Sequence, residues 1–325
     1  MTYELAIFNG SRRMIPMTID GVVLEQTRQG APAKLTFTVV KDEYLSFPEG
    51  AVARLTVDEK IVFTGFIFEK SRNKDQHIAC VAYDQLRYFK NKDTWKIQNK
   101  KASDFLRQVC DQFLLRAGDI EDTGFVIENM LCDNKTIFDA VQDTLDRTLV
   151  NTGRLFVLYD DAGHICLKDA EKMKSDLLIC DQTALDYDYS SSIEEMYNAV
   201  KLIQKKTTTG KNSEGQEVAK TFFKVDEKSV NRYGALQYFD NNLDDQANPE
   251  KIAAQILELN NRVRRKLSIS GALGDTGIRG GSSVALDLAL GDQHARWFAI
   301  VDSVTHTFNN DHHSMDLQLS GKELR

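Results

Sequence analysis

His306, His312 and His313 form the one histidine cluster in the sequence, and imidazoles on neighbouring strands can converge on zinc at about 2.0–2.1 Å. No cysteine or carboxylate is spaced to complete such a site, so the three read as hydrogen-bonding histidines around a turn. Two acid pairs, Asp186 with Asp188 and Glu194 with Glu195, raise a second chemistry. Glycoside cleavage needs two carboxyls about 5–9.5 Å apart across a cleft, which would make the chain a glycan- or peptidoglycan-cleaving enzyme. Neighbouring acids in a polar stretch are otherwise solvated surface. Nucleophilic catalysis has less support, because no GxSxG elbow, SxxK motif or Cys-His signature occurs. The glycine-rich stretch GDTGIRGGSS lacks a lysine in phosphate-loop register. No catalytic residue, metal or cofactor is assigned.

A basic run from Lys70 to Lys101, interleaved with Tyr83, Tyr88, Phe89 and Trp95, has the composition of a single-strand nucleic-acid surface. The competing reading is a charged rim beside an assembly interface. The whole-chain charge of −7 argues against a protein that holds nucleic acid through lysine and arginine.

At 325 residues, with 42% hydrophobic and 27% charged residues and 4 prolines, the chain can bury a sizeable core in two or three domains. Five cysteines, Cys80, Cys110, Cys132, Cys166 and Cys180, are scattered without a CxxC pair and mostly sit in apolar runs, which suits a reducing compartment during folding. The N-terminus lacks a signal-peptide pattern, and no apolar run reaches roughly 18 residues, so membrane insertion is not expected.

The elements around these residues change period along the chain. From Leu5 to Asp84 the pattern is mainly period two, with Leu35, Phe37 and Val39 alternating with Thr36 and Thr38, as one buried strand face requires. Phe105, Leu106, Val109, Cys110, Phe113 and Leu114 then follow helical spacing, with Ser103 as N-cap and Gly118 as stop. A second helix from about Thr136 to Leu149 carries Ile137, Val141, Leu145 and Leu149 on one stripe and ends at Gly153. Asp160 to Gly163 turn the strand Leu155 to Tyr159 into Ile165 to Lys168.

Beyond Leu185 strands return. Ala199 to Lys205 should pair with Thr221 to Val225 across TTTGKNSEGQEVAK, a polar loop expected to be exposed and mobile. Asn248 and Pro249 open a third helix with Ile252, Ile256, Leu259 and Val263 on its buried stripe and Arg262, Arg264, Arg265 and Lys266 late. Three strands follow: Val284 to Leu288, Trp297 to Phe308 and Ser314 to Ser320.

Three strands look apolar on both faces: Ile61 to Phe68, with Ile61, Phe63, Phe66 and Phe68; His77 to Tyr83; and the start of the strand from Trp297, with Trp297, Phe298, Ile300 and Val301. Cover comes either from a tightly filled small barrel or from a second layer or subunit. The first strand and the end of the chain also share a layout, GFIFEKSRNKDQHIACVAYD against FAIVDSVTHTFNNDHHSMDLQLS. Each has a long apolar strand, a charged turn and a strand opened by histidine. Chance likeness of two hairpins or a barrel repeat flanking an α/β insert both account for it.

YDQLRYFKNKD followed by KKASDFLRQVCDQF, then SVNRYGALQYFDNNLDDQANPEKIAAQIL, GIRGGSSVALDL and FAIVDSVTHTFNNDHHSMDLQL together resemble the baseplate hub proteins of contractile phage tails and phage-derived bacteriocins. The likeness is closest to hubs of the defective-prophage type and more distant to the late control protein D family. It implies an α+β, mainly β fold with two tube-protein-like antiparallel β-barrels and an α/β insert between them. The expected divisions are 1–95 for the first barrel, 96–185 for the insert and 186–325 for the second barrel with its long helix.

The resemblance also implies a structural role in a virion or phage-like particle assembled in the bacterial cytoplasm. Three copies form a ring that joins the six-fold tail tube to the three-fold spike and initiates tube assembly. The implied partners are the homotrimer, tail tube protein, central spike protein and baseplate wedge proteins, with a tape-measure protein a further one. DNA passes through the lumen without specific binding. Ile61, Phe63, Phe66, Phe68, Trp297, Phe298, Ile300 and Val301 are the candidate assembly interface, and cell-wall digestion is expected to fall to another protein.

Overall fold

Where Leu35, Phe37 and Val39 alternate with threonines, the chain forms the strand Lys34–Val40 with those three residues buried. The computed structural model describes residues 1–208, 216–243, 248–290 and 294–321. They divide into two compact units, one of Met1–Asp146, Arg154–Tyr189 and Lys266–Arg325, the other of Arg147–Gly153 and Ser190–Arg265.

The larger unit is organised by one sheet. Its N-terminal strands lie in the spatial order Thr18–Thr27, Lys34–Val40, His77–Tyr83, Lys60–Arg72, Val52–Val57, Tyr3–Asn9 and Arg12–Met14. The C-terminal hairpin Phe298–Asn309 and His312–Gly321 continues that sheet, because Phe298–Asn309 pairs antiparallel with Thr18–Thr27, His306 opposite Leu24. Arg264–Leu273 then pairs with His312–Gly321.

The two expected barrels are therefore not present. The fold is mixed α+β, dominated by several open antiparallel sheets, and none of the sheets of the described residues closes into a barrel. Closure requires the end strands of a sheet to bond to each other. In the N-terminal block those ends are Thr18–Thr27 and Arg12–Met14, and the first spends its outer edge on Phe298–Asn309 instead. The two hairpins with the shared layout are both antiparallel, and both belong to this single sheet.

Between these strands lies a helix-containing region with its own core of Phe89, Trp95, Phe105, Leu106, Ile127 and Val141. The helix Ala102–Gln112 begins one residue before Ser103, which is buried in its first turn and supplies no cap. It stops at Phe113, and Leu114 turns outward at φ 54°. Gly118 falls in the following strand, Ala117–Ile120. The helix Ile137–Thr152 starts as the sequence suggests: Thr136 Oγ1 accepts from Asp139 N at 3.1 Å. Gly153, at φ 75°, closes it by donating to the Leu149 carbonyl at 2.8 Å. Asp160 Oδ1 accepts from Gly163 N at 2.6 Å in the turn joining Phe156–Asp160 to Ile165–Asp169.

In the smaller unit Ala199–Thr208 is the central strand, between Gln216–Val225 and Gln237–Leu243. Asn248 Oδ1 caps the helix Pro249–Asn260 by accepting from Lys251 N at 3.1 Å. Ile252, Ala253 and Ile256 pack on Val200 and Leu202. This helix ends at Asn260, so Val263 and the basic residues from Arg262 onward are not part of it. Of the expected loop over 207–220, residues 209–215 lie outside the described residues and the flanks are strand.

Candidate assembly surface

In the strand Lys60–Arg72, alternation sends Phe63, Gly65 and Ile67 into the core, while Phe66 and Phe68 lie half-buried on the other face. That second face is partly covered by the chain itself. The Phe68 ring meets Tyr83 edge-on at 5.6 Å and tilts against Tyr88 at 6.2 Å, and Phe66 meets Tyr88 edge-on at 6.2 Å. The Arg87 guanidinium lies 5.2 Å from the Phe68 ring, within cation–π range. Ile61, at 38% exposure, stays open.

The other candidate strand divides similarly. Ile300 and Val301 are buried, Trp297 is half-buried against the C-terminal core, and Phe298 is 42% exposed with Lys174 Nζ 5.8 Å from its ring. Three strands separate Phe298–Asn309 from Lys60–Arg72 in the sheet. The eight candidates therefore sit in two places, with Ile61 and Phe298 the most open of them.

More exposed apolar side chains lie elsewhere, outside the eight candidates. In the smaller unit Phe223, Lys201 and Phe239 stand side by side across the three strands, Lys201 opposite both phenylalanines. Phe223 is 61% and Phe239 51% exposed. Phe222, the residue before Phe223, faces the helix side. The signal was there in period two: of two consecutive phenylalanines in one strand, only one can face the core.

The histidine cluster is a hydrogen-bonded pair. His306 is 2% exposed, and its Nε2 lies 3.0 Å from the Ile278 carbonyl while its Nδ1 lies 2.9 Å from His313 Nε2. A carbonyl only accepts, so His306 Nε2 carries the proton and donates, and Nδ1 accepts from His313 Nε2–H. Burial, with the His313 and Arg279 charges adding to it, pushes the His306 pKa down to about 3. His312 points to solvent beside Asp311. Among the described residues no group of three or more His, Cys, Asp or Glu could hold a metal ion.

Asp186 and Asp188 are exposed on the strand Asp186–Ser192. Glu194 and Glu195 are also exposed, Glu195 lying 3.6 Å from Arg264 Nε. In the basic run, Phe89 and Trp95 are buried, so neither ring can stack on a base. None of the five cysteines forms a disulfide, and no helix among the described residues is long and apolar enough to cross a membrane.

Three buried acids, Asp84, Asp160 and Asp169, lie in the larger unit. Asp84 accepts from Ala33 N and Leu86 N, each at 3.0 Å, and burial together with the Asp160 charge raises its pKa well above the usual carboxylate range. Burial pushes Asp160 up to about 6. Arg279 holds this corner, its Nη1 3.3 Å from the Asp160 carbonyl and its Nη2 3.0 Å from Asp161 Oδ1.

The fold has solved counterparts. It superposes on the 43 kDa tail protein of prophage MuSo2 from Shewanella oneidensis with a TM-score of 0.67 at 10% identity, covering 97% of this chain and 98% of that one. It also superposes on the E. coli c3393 protein, a type VI secretion system component with structural similarity to the T4 tail proteins gp27 and gp5. There the TM-score is 0.58 at 11% identity, over 99% of this chain and 77% of that one. The architecture is thus one found in phage tail proteins. In sequence, the chain is 28% identical over 320 residues to the phage-like element PBSX protein XkdQ of Bacillus subtilis (strain 168), spanning 95% of this chain and 94% of XkdQ. A family model described as YQBQ-like matches residues 22–320, and the chain belongs to this family.

Proposed function

We propose that this chain is a non-catalytic hub subunit of a contractile-tail baseplate. Three copies form a ring that joins the six-fold tail tube to the three-fold spike and initiates tube assembly. The observation that carries this reading is likeness along nearly the whole chain to XkdQ of the phage-like element PBSX. The fold shared with c3393, itself similar to T4 gp27 and gp5, supports the same place in a tail. The tail tube protein, spike, wedge proteins and a tape-measure protein are the partners of such a ring. With −7 on each copy, a ring would repel DNA phosphates rather than trap them wherever its acids face the lumen.

Rings of this kind rest on obligate interfaces, on the order of 2,000–5,000 Å². Ile61 and Phe298 are the proposed sequence-derived contributors, and the Phe223–Lys201–Phe239 row adds a third exposed apolar area. Light scattering on the purified chain, alone and mixed with the spike protein of the same particle, tests the reading. The expected mass is that of three chains alone, or of three chains plus the spike once the spike is added. A monomer under every condition would contradict it.

A further inference from the structure

Phe8 and Val52 face each other in register across the strands Tyr3–Asn9 and Val52–Val57. Both line two clefts at once, one of about 550 Å³ and one of about 320 Å³. The two clefts therefore form one trough on the larger unit. Phe66, Tyr88 and Phe113 give the larger part an aromatic wall, and Arg54 and Arg116 also line it. The smaller part runs along the Asn9–Gly10 turn and the segment from Pro48 to Gly50, where the Glu49 carboxylate is ion-paired with Lys70 at 3.4 Å.

This wall is built, not incidental. Gln85, buried on its lining, accepts from Arg116 N at 2.9 Å and donates to the Gly163 carbonyl, which fixes two of the surrounding segments. The Arg54 guanidinium lies 5.0 Å from the Phe8 ring. Arg54 Nε and Thr64 Oγ1, opposite each other on paired strands, are buried without a hydrogen-bond partner. The arginine ion pairs of the described residues lie elsewhere and leave Arg54 and Arg116 without a carboxylate. At the rim Leu114 is 91% exposed in a left-handed conformation.

We propose that this trough docks an extended segment of another protein chain that carries a carboxylate beside an apolar side chain. Charge complementarity selects that occupant. The chain has 48 acidic against 41 basic residues, yet two guanidinium groups in this trough have no acid of their own. A guanidinium binds a carboxylate through paired N–H···O bonds of fixed geometry. The aromatic wall and Leu114 supply the apolar seat for the neighbouring side chain. The site stands apart from the hub reading, since it rests on this surface alone.

The test uses two labelled blocked peptides, acetyl-EFDLE-amide and acetyl-KFKLK-amide, titrated by fluorescence anisotropy with the full chain. The acidic peptide binds and the lysine peptide does not. Arg116→Met, at an exposed side chain, weakens the acidic peptide by several-fold, and Arg54→Met with Arg116→Met weakens it by roughly tenfold or more. Arg232→Met, in the other unit, leaves binding unchanged. Thermal melts verify that each variant is folded. Equal binding of the two peptides, no binding of the acidic one, or unchanged affinity in both Arg116→Met and the double variant would overturn the proposal.

Discussion

Arg28 Nε lies 3.0 Å from Asp302 Oδ1, and the Arg28 backbone N–H donates to the Asp302 carbonyl at 2.8 Å. The two residues stand 274 positions apart, and their pairing marks the seam where the first β block continues into the last. Side-chain charge is not what secures this seam. The ion pair is partly exposed, and such pairs contribute about 0–1 kcal/mol.

Backbone proximity secures it instead. A Cβ at Gly280 would lie 2.3 Å from Arg28 N, and one at Gly21, at φ 78°, would lie 2.6 Å from the Phe308 carbonyl oxygen. Gly280→Ala and Gly21→Ala should each destabilise by roughly 1–3 kcal/mol, against less than about 1 kcal/mol for Asp302→Asn. Urea unfolding followed by circular dichroism ranks the three variants. Asp302→Asn as costly as either glycine variant would contradict this account of the seam.

His306 makes stability fall in acid. Its pKa is about 3 in the fold and about 6.5 in an unfolded chain, so between these values the unfolded state binds the extra proton. Its contribution is complete above about pH 6.5 and is lost as pH falls towards 3, with a slope of at most about 1.4 kcal/mol per pH unit. His313 accommodates the neutral ring, because it can take a proton on Nδ1 while Nε2–H still donates. His306→Gln should flatten the stability profile below pH 6.5, measured by urea midpoints across pH. An unchanged slope would sink the assignment.

Asp160 carries the opposite sign. Its pKa of about 6 exceeds the unfolded value of about 3.9, so the native state holds the proton longer and the acid costs stability as pH rises between these values. Asp160→Asn keeps an oxygen to accept from Gly163 N and removes the buried charge. The variant should be at least as stable as the parent at pH 7.5, and the margin should shrink at pH 4. Thermal melts at the two pH values check it, and a variant weaker at pH 7.5 than at pH 4, relative to the parent, would refute it.

Part of this fold is written locally. Lys34–Val40, the Asn248–Pro249 helix start and the Gly153 stop each follow from residues a few positions apart. Lys92–Lys101 and Arg264–Leu273 are hard to read because basic residues crowd their ends and polar side chains, Thr94, Lys96 and Gln98 in one and Lys266, Ser268 and Ser270 in the other, fill the outward positions. Only Trp95 with Ile97, and Leu267 with Ile269, betray the period of two. Barrel closure is illegible for a different reason: two similar hairpins fit two barrels or one sheet equally well. The deciding pair, His306 with Leu24, is invisible to any local pattern. Likewise the trough around Phe8 draws on residues from Phe8 to Gly163 that no motif connects.

In the smaller unit, register predicts a contrast between neighbouring positions. Leu202 is buried beneath the helix Pro249–Asn260, whereas Phe223 lies on the open face. Leu202→Ala should cost about 2–5 kcal/mol and Phe223→Ala less than about 1 kcal/mol. Hydrogen exchange of the amides in Ala199–Thr208 reports both, and similar losses would mean that the sheet faces have been assigned wrongly.

The central claim is that three copies of this chain link tube to spike. An electron-microscopy reconstruction of the parent particle's tail tip tests it most directly. The expected density is one ring of three chains between the last tube ring and the spike, tracing the sheet in which Phe298–Asn309 lies beside Thr18–Thr27. A ring of six chains, or density for this chain only at the periphery of the tail, would contradict it.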